Sequence, residues 1–141
     1  MNDRLGHKVG DEVLRTFAER LQHVVREEID TVARLAGDEF VILLEDVAPE
    51  RAEQVAMAVL AAGSEEFSAV GKQCALSVSV GVVLHKLSES EEEFLSRADM
   101  AMYASKQAGK AKASLDFGDR RRILHANNTK DLLPSAGNAE D

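Results

Sequence analysis

Residues 31–45 read Thr-Val-Ala-Arg-Leu-Ala-Gly-Asp-Glu-Phe-Val-Ile-Leu-Leu-Glu. Two β-prone runs, Thr31 to Leu35 and Glu39 to Glu45, flank a short segment centred on Gly37. Glycine accepts the positive φ of a tight turn, so the stretch predicts a β-hairpin. Its tip carries two adjacent carboxylates, Asp38 and Glu39. A glycine turn exposes backbone N–H groups to phosphate oxygens. A carboxylate beside it can hold Mg²⁺, a hard cation that shares oxygen ligands with substrate phosphates. Taken alone, this tip is more often an ordinary acidic surface turn, because short motifs match by chance.

Working outward, Asp11 to Glu28 reads as an amphipathic helix. Val13, Leu14, Phe17, Ala18, Leu21, Val24 and Val25 recur at the three-and-four spacing of one face. After the hairpin, Pro49 opens a second helix to about Ala62, with Gly63 as its stop. Glu66 to Val70 is a short strand. Cys74 to Val83 alternates apolar and small residues and predicts one long strand. Ser90-Glu-Glu-Glu93 is a capping-box pattern that starts a third helix, ended by Gly109. Ala111 to Phe117 is a last edge strand. From Gly118 onward, polar residues dominate, so 1–117 reads as the domain and 118–141 as a polar tail or linker. The order helix, hairpin, helix, strand, helix, strand predicts an α+β sandwich with helices on one or both faces of a mainly antiparallel sheet.

The 141-residue chain is the size of one domain, 45% hydrophobic and 30% charged. No run reaches the ~20 apolar residues of a membrane helix, and no signal peptide is visible. The single cysteine, Cys74, cannot form an internal disulfide and fits a reducing cytoplasm. The net charge of −8 argues against broad nucleic-acid binding but leaves room for a small phosphorylated ligand held by a few local cations.

Four segments, in this order and spacing, resemble the GGDEF family of diguanylate cyclases. They are Asn2-Asp3-x-x-Gly6-His7-x-x-Gly10-Asp11-x-x-Leu14, then Gly37-Asp38-Glu39-Phe40, then Ser77-Val-Ser79-Val-Gly81. The last is Arg97-Ala-Asp99-x-Ala101-Met102-Tyr103-x-x-Lys106-x-x-Gly109-Lys110. The resemblance covers Met1 to Lys112. It implies a two-layer, ferredoxin-like nucleotidyl-cyclase fold that condenses two GTP into cyclic di-GMP, with Mg²⁺ or Mn²⁺ as cofactor. Its partners are GTP and a second GGDEF domain in a homodimer. By resemblance, Asn2 and Asp11 read guanine, and Asp38 binds metal and is a candidate base. Glu39 is its required acidic neighbour. Gly37, Lys106 and Lys110 contact phosphate. Residues 106 and 110 are spaced i,i+4 and share a helix face. Lys110 replaces the family's usual arginine and lacks the bidentate fork.

Two further features depart from the family pattern. Ala36 stands where the signature has its first glycine, so the turn survives only if position 36 does not need positive φ. The family's inhibitory Arg-x-x-Asp site aligns with Glu27 and Asp30, so its arginine position is acidic. Arg26 lies one residue early, which on a helix turns a side chain about 100° away. The resemblance also implies a central strand with Asp-x-Asp-x-Phe-Lys before Asn2, carrying further metal ligands. The chain begins at Met1, directly before Asn2. The hairpin and the Cys74 strand are therefore expected to show unpaired edges, and the chain is expected to be inactive by itself. The alternative is a degenerate module that binds GTP or a partner protein as a regulator.

Overall fold

A computed structural model describes residues 3–69, 71–74, 76–118 and 120–125. Helix α1 runs Asp3–Val24, followed by strands β1 (Thr31–Ala36) and β2 (Glu39–Leu43) and helix α2 (Pro49–Ser64). Strands β3 (Phe67–Ala69), β4 (Lys72–Cys74) and β5 (Ser79–Val83) come next. Helix α3 (Glu91–Gln107) leads to β6 (Lys112–Asp116) and β7 (Arg121–His125).

The helices form where the sequence supplies a face and a cap. Along α1, Val13, Phe17 and Leu21 are buried and meet Val55, Val59 and Ala62 of α2 and Phe67 of β3. Phe17 contacts Phe40 and Phe67 edge-to-face, with ring centroids 5.7 and 6.3 Å apart. Ser90 and Glu93 complete the capping box of α3 in both directions. A second apolar cluster joins Ala56, Met57 and Leu60 of α2 to Ala113 and Leu115 of β6 and Leu124 of β7.

Alternation along β5 separates its two faces. Val80 and Val82 pack with the α2 clusters. Gly81 points the other way, where an added Cβ would sit 2.2 Å from the Met102 backbone nitrogen of α3. Helix α3 therefore covers the face opposite α2 and adds a third layer to the expected two.

The strands form separate hydrogen-bonded sets: β1 with β2, β3 with β4, and β5 with β6 and β7. The β5–β6 pair is parallel and the other pairs are antiparallel. Among the described residues, no strand pairs with the outer edge of the β1–β2 hairpin or with the edge of β5 opposite β6. Yet Val32, Phe40 and Ile42 of the hairpin and Val78 and Val80 beside or within β5 pack against the same helical cluster. Two open sheet edges thus share one core.

Other differences from the sequence reading have local causes. Helix α1 starts at Asp3 and runs through Gly6 and Gly10, each of which costs about 1 kcal/mol in a helix interior. The segment expected as one strand from Cys74 to Val83 is split. Residues 72–74 turn back at Gly71 to pair with β3, and Leu76 N–H donates to Gly63 carbonyl at 3.3 Å. Gly63 lies inside α2 and does not stop it. Strand β7 falls in the segment read as a polar tail. Of its side chains only Leu124 is buried, which is too little apolar signal beside Arg121 and Arg122.

Candidate nucleotide site

The hairpin tip is built by a two-residue turn. Ala36 pairs with Glu39, and Gly37 takes φ +51°. The register slips between Arg34 and Ala36, so Leu35 bulges outward and is exposed. Position 36 is a strand residue outside the positive-φ set, so alanine fits where the family signature has glycine. The turn is tied from within: Arg34 Nε donates to the Gly37 carbonyl at 2.6 Å. Asp38 and Glu39 are exposed, and no ion pair among the described residues engages either carboxylate.

Beside the hairpin lies a cleft of roughly 430 Å³ between α1 and the two strands. Leu14, Ala18, Val32 and Phe40 supply apolar lining, and Asp11, Arg15, Gln22 and Arg34 supply polar groups. Such a cleft suits a flat base on its apolar side, with a carboxylate accepting from the base N–H groups. Asp11 sits well inside α1, eight residues from its start, so helix-terminus electrostatics do not account for it. Arg34 connects the two features, because it lines the cleft and fixes the turn. Sequence reading missed Arg15, Gln22 and Arg34. The signal for Arg34 was a lone cation in a β-prone run three residues before the glycine.

The remaining site residues are placed separately. Asn2 lies outside the described residues. Lys106 is exposed in the last turn of α3, but the helix ends at Gln107 and Lys110 follows at positive φ in the loop to β6, so the two do not share a helix face as their i,i+4 spacing suggested. No hydrogen bond or ion pair links either ammonium to the hairpin, and none engages them elsewhere among the described residues.

No group of three or more His, Cys, Asp or Glu that could hold a metal exists among the described residues. The donor chemistry of Asp38 and Glu39 still fits part of a Mg²⁺ shell, since that ion takes one or two carboxylates and completes its shell with phosphate and water oxygens.

Arg26 reaches Asp30, contrary to what their offset on a helix predicts. Helix α1 ends at Val24, so Arg26 is not on a helix and its side chain is not turned away. A tight turn in which Ile29 and Asp30 N–H groups donate to the Arg26 carbonyl folds the arginine onto Asp30. Arg26 Nε and Nη2 donate to the two carboxylate oxygens at 3.0 and 2.8 Å. The backbone N–H groups of Arg26 and Glu45 add 2.9 and 3.2 Å bonds. Hydrogen bonds from the Arg26 side chain, against the opposing cost of burial, hold the Asp30 carboxyl well below the usual range. Glu27 is exposed and takes no part.

Arg97, from the fourth motif, has a structural role. It donates to both Glu89 oxygens at 2.5 and 2.8 Å and to the Leu84 carbonyl at 2.6 Å, closing the β5–α3 loop. No described helix is long and apolar enough to cross a membrane.

The family model "Diguanylate cyclase, GGDEF domain" matches residues 1–112. Signaling protein YkoW of Bacillus subtilis is 36% identical over 129 residues, covering 87% of this chain and 16% of YkoW. Cyclic di-GMP phosphodiesterase NbdA of Pseudomonas aeruginosa is 34% identical over 127 residues, covering 89% of this chain and 16% of NbdA. The chain therefore spans a small part of the curated relatives it matches. Among solved structures, the isolated GGDEF domain of TpbB (YfiN) from Pseudomonas aeruginosa superposes with a TM-score of 0.73 at 32% identity. That match covers 93% of this chain and 73% of the other.

Proposed function

The chain belongs to the GGDEF diguanylate cyclase family, and we propose that it is the GTP-holding part of a domain that condenses two GTP molecules into cyclic di-GMP. The observation that supports this reading is Arg34, which lines the Asp11 cleft and also ties the Gly37–Asp38 turn; a base in the cleft and phosphates at the turn would then belong to one nucleotide.

In this reading guanine lies against Leu14, Ala18, Val32 and Phe40, and Asp11 accepts from its N–H groups. By family resemblance, Asn2 assists in reading guanine. The triphosphate runs over the Gly37 turn, with Lys106 and Lys110 neutralising its oxygens. Asp38 and Glu39 would hold Mg²⁺ or Mn²⁺. A metal held there would supply charge neutralisation at the reacting phosphate. Asp38 would also receive the 3′-hydroxyl proton. A second copy of the domain supplies the second GTP.

We further propose that turnover requires one more strand between the hairpin and β5, bringing further metal ligands. Two unpaired edges on a shared core and the lack of a three-ligand cluster among the described residues support this. Product does not bind at Glu27 and Asp30, because Asp30 is already committed to Arg26. The same lack of a cluster favours, as a second reading, a module that binds GTP without turning it over.

The test is incubation of the 141-residue chain with GTP and Mg²⁺, with chromatography for product and calorimetry for binding. Saturable GTP binding without cyclic di-GMP is expected. Product from this chain alone would overturn the need for a further strand. Absence of GTP binding would overturn both readings.

A further inference from the structure

Helix α3 ends in a closing motif that needs one left-handed residue. Lys110 N–H donates to the Ser105 carbonyl at 3.1 Å and Gly109 N–H to the Lys106 carbonyl at 3.2 Å. Gly109 supplies the positive φ, +119°. The cap is then complete. Lys110 and Ala111 are nevertheless also left-handed, at φ +64° and +52°. Both carry a Cβ, which disfavours that region. The cap does not require this strain.

The strain persists because both ends of the turn are fixed. Ser105, fully buried, donates its hydroxyl to the Val80 carbonyl at 2.7 Å and locks the last turn of α3 onto β5. Lys112 begins the β6 pairing opposite Ser79, and its ammonium donates to the Ala108 carbonyl. Lys112 therefore already serves the carbonyl end of the helix. Lys106 and Lys110 have no such partner among the described residues. No acidic residue lies between Asp99 and Asp116, in a chain of net charge −8. The turn is a local cationic patch with two unused ammonium groups, one of them on strained backbone. Strained residues of this kind persist where the surrounding structure over-determines them, and they cluster at ligand clamps.

We propose that Gly109–Lys110–Ala111 is a strained mount that fixes the Lys110 ammonium for a polyphosphate, with Ala111 as a positioning residue. This rests on the reading that Lys106 and Lys110 take the phosphates of GTP, and adds that the backbone is held ready before the ligand arrives. Substituting glycine at Ala111 relieves the strain but frees the mount, so stability and affinity change in opposite directions. A purely structural turn would not do this.

The experiment compares the 141-residue chain with its Ala111→Gly and Lys110→Gly variants, by thermal unfolding and by calorimetric titration with tripolyphosphate at low salt. Ala111→Gly is expected to raise the melting temperature by about 3 °C and to weaken tripolyphosphate binding roughly threefold. Lys110→Gly is expected to raise the melting temperature similarly and to weaken binding about tenfold. If Lys110→Gly weakens binding but Ala111→Gly does not, the mount is refuted while the phosphate reading stands. If Lys110→Gly leaves binding unchanged, or the unaltered chain does not bind, the phosphate reading fails and the mount with it. A melting temperature lowered by Ala111→Gly refutes the strain.

Discussion

Replacing Gly81 by alanine tests the packing that holds α3, and with it Lys106, in place. The added Cβ would lie 2.2 Å from Met102 N, 2.4 Å from Ala98 O and 2.8 Å from Ala101 C. All three are backbone atoms, so no rotamer change relieves the clash. Ordinary contact begins near 3.4 Å, so α3 must withdraw by about 1.2 Å. That movement stretches the 2.7 Å Ser105–Val80 hydrogen bond past its limit. Overpacking costs about 1–3 kcal/mol and the lost bond about 1 kcal/mol. A destabilisation of about 3 kcal/mol is a large share of a domain's ~5–15 kcal/mol. In urea, a slope of ~2 kcal/mol/M turns this into a midpoint about 1.5 M lower. Gly63→Ala is the control. Its added Cβ meets side-chain atoms of Val78 and Phe17 and no backbone atom, so a smaller cost of about 1–2 kcal/mol is expected. The reasoning is refuted if Gly81→Ala unfolds within 1 kcal/mol of the parent, or if Gly63→Ala is the costlier change.

Three further outcomes follow from the ion pairs and caps. Asp30→Asn, which keeps the shape but removes the charge paired with Arg26, should cost about 2–4 kcal/mol in chemical denaturation, since the side chain is fully buried. Glu89 is pulled from 4.5 to about 2, first by its hydrogen bonds from Arg97. Its folded form is the better acid, so its contribution is full above about pH 4.5 and disappears as pH falls toward 2. The stability gap between the parent and Glu89→Gln should therefore be flat above pH 5 and should close through that window; a gap independent of pH would contradict the assignment. Arg20 donates to the Ala62, Glu65 and Glu66 carbonyls at the end of α2 and lies 3.8 Å over the Phe67 ring. Arg20→Met keeps the stem but loses the donors, and should lower stability by about 1–2 kcal/mol.

What the sequence made legible were the elements with a local chemical signature. The Gly37 turn, Pro49 at the first turn of α2 and the Ser90–Glu93 box each mark a backbone requirement with one or two residues. The start of α1 was hidden because Gly6 and Gly10 look like loop residues, and only packing carries the helix through them. The break between β4 and β5 was hidden because the alternation continues across it, and pairing with β3 decides the split. At the site, Asp11, Gly37 and Asp38 came from a joint motif. Arg34 did not, because its role depends on a carbonyl three residues away. The Arg26–Asp30 pair was misread for a similar reason: it depends on where α1 ends, which a residue offset does not show.

The most direct test of the account is a titration of the isotopically labelled 141-residue chain with GTP and Mg²⁺, followed by backbone amide shifts. Saturable shifts are expected at Asp11, Arg34, Gly37 and Asp38 and at Lys106 and Lys110, with a weaker response to ATP because Asp11 would face the wrong base edge. An equal response to ATP, or no shift at residues 34–39, would contradict the account.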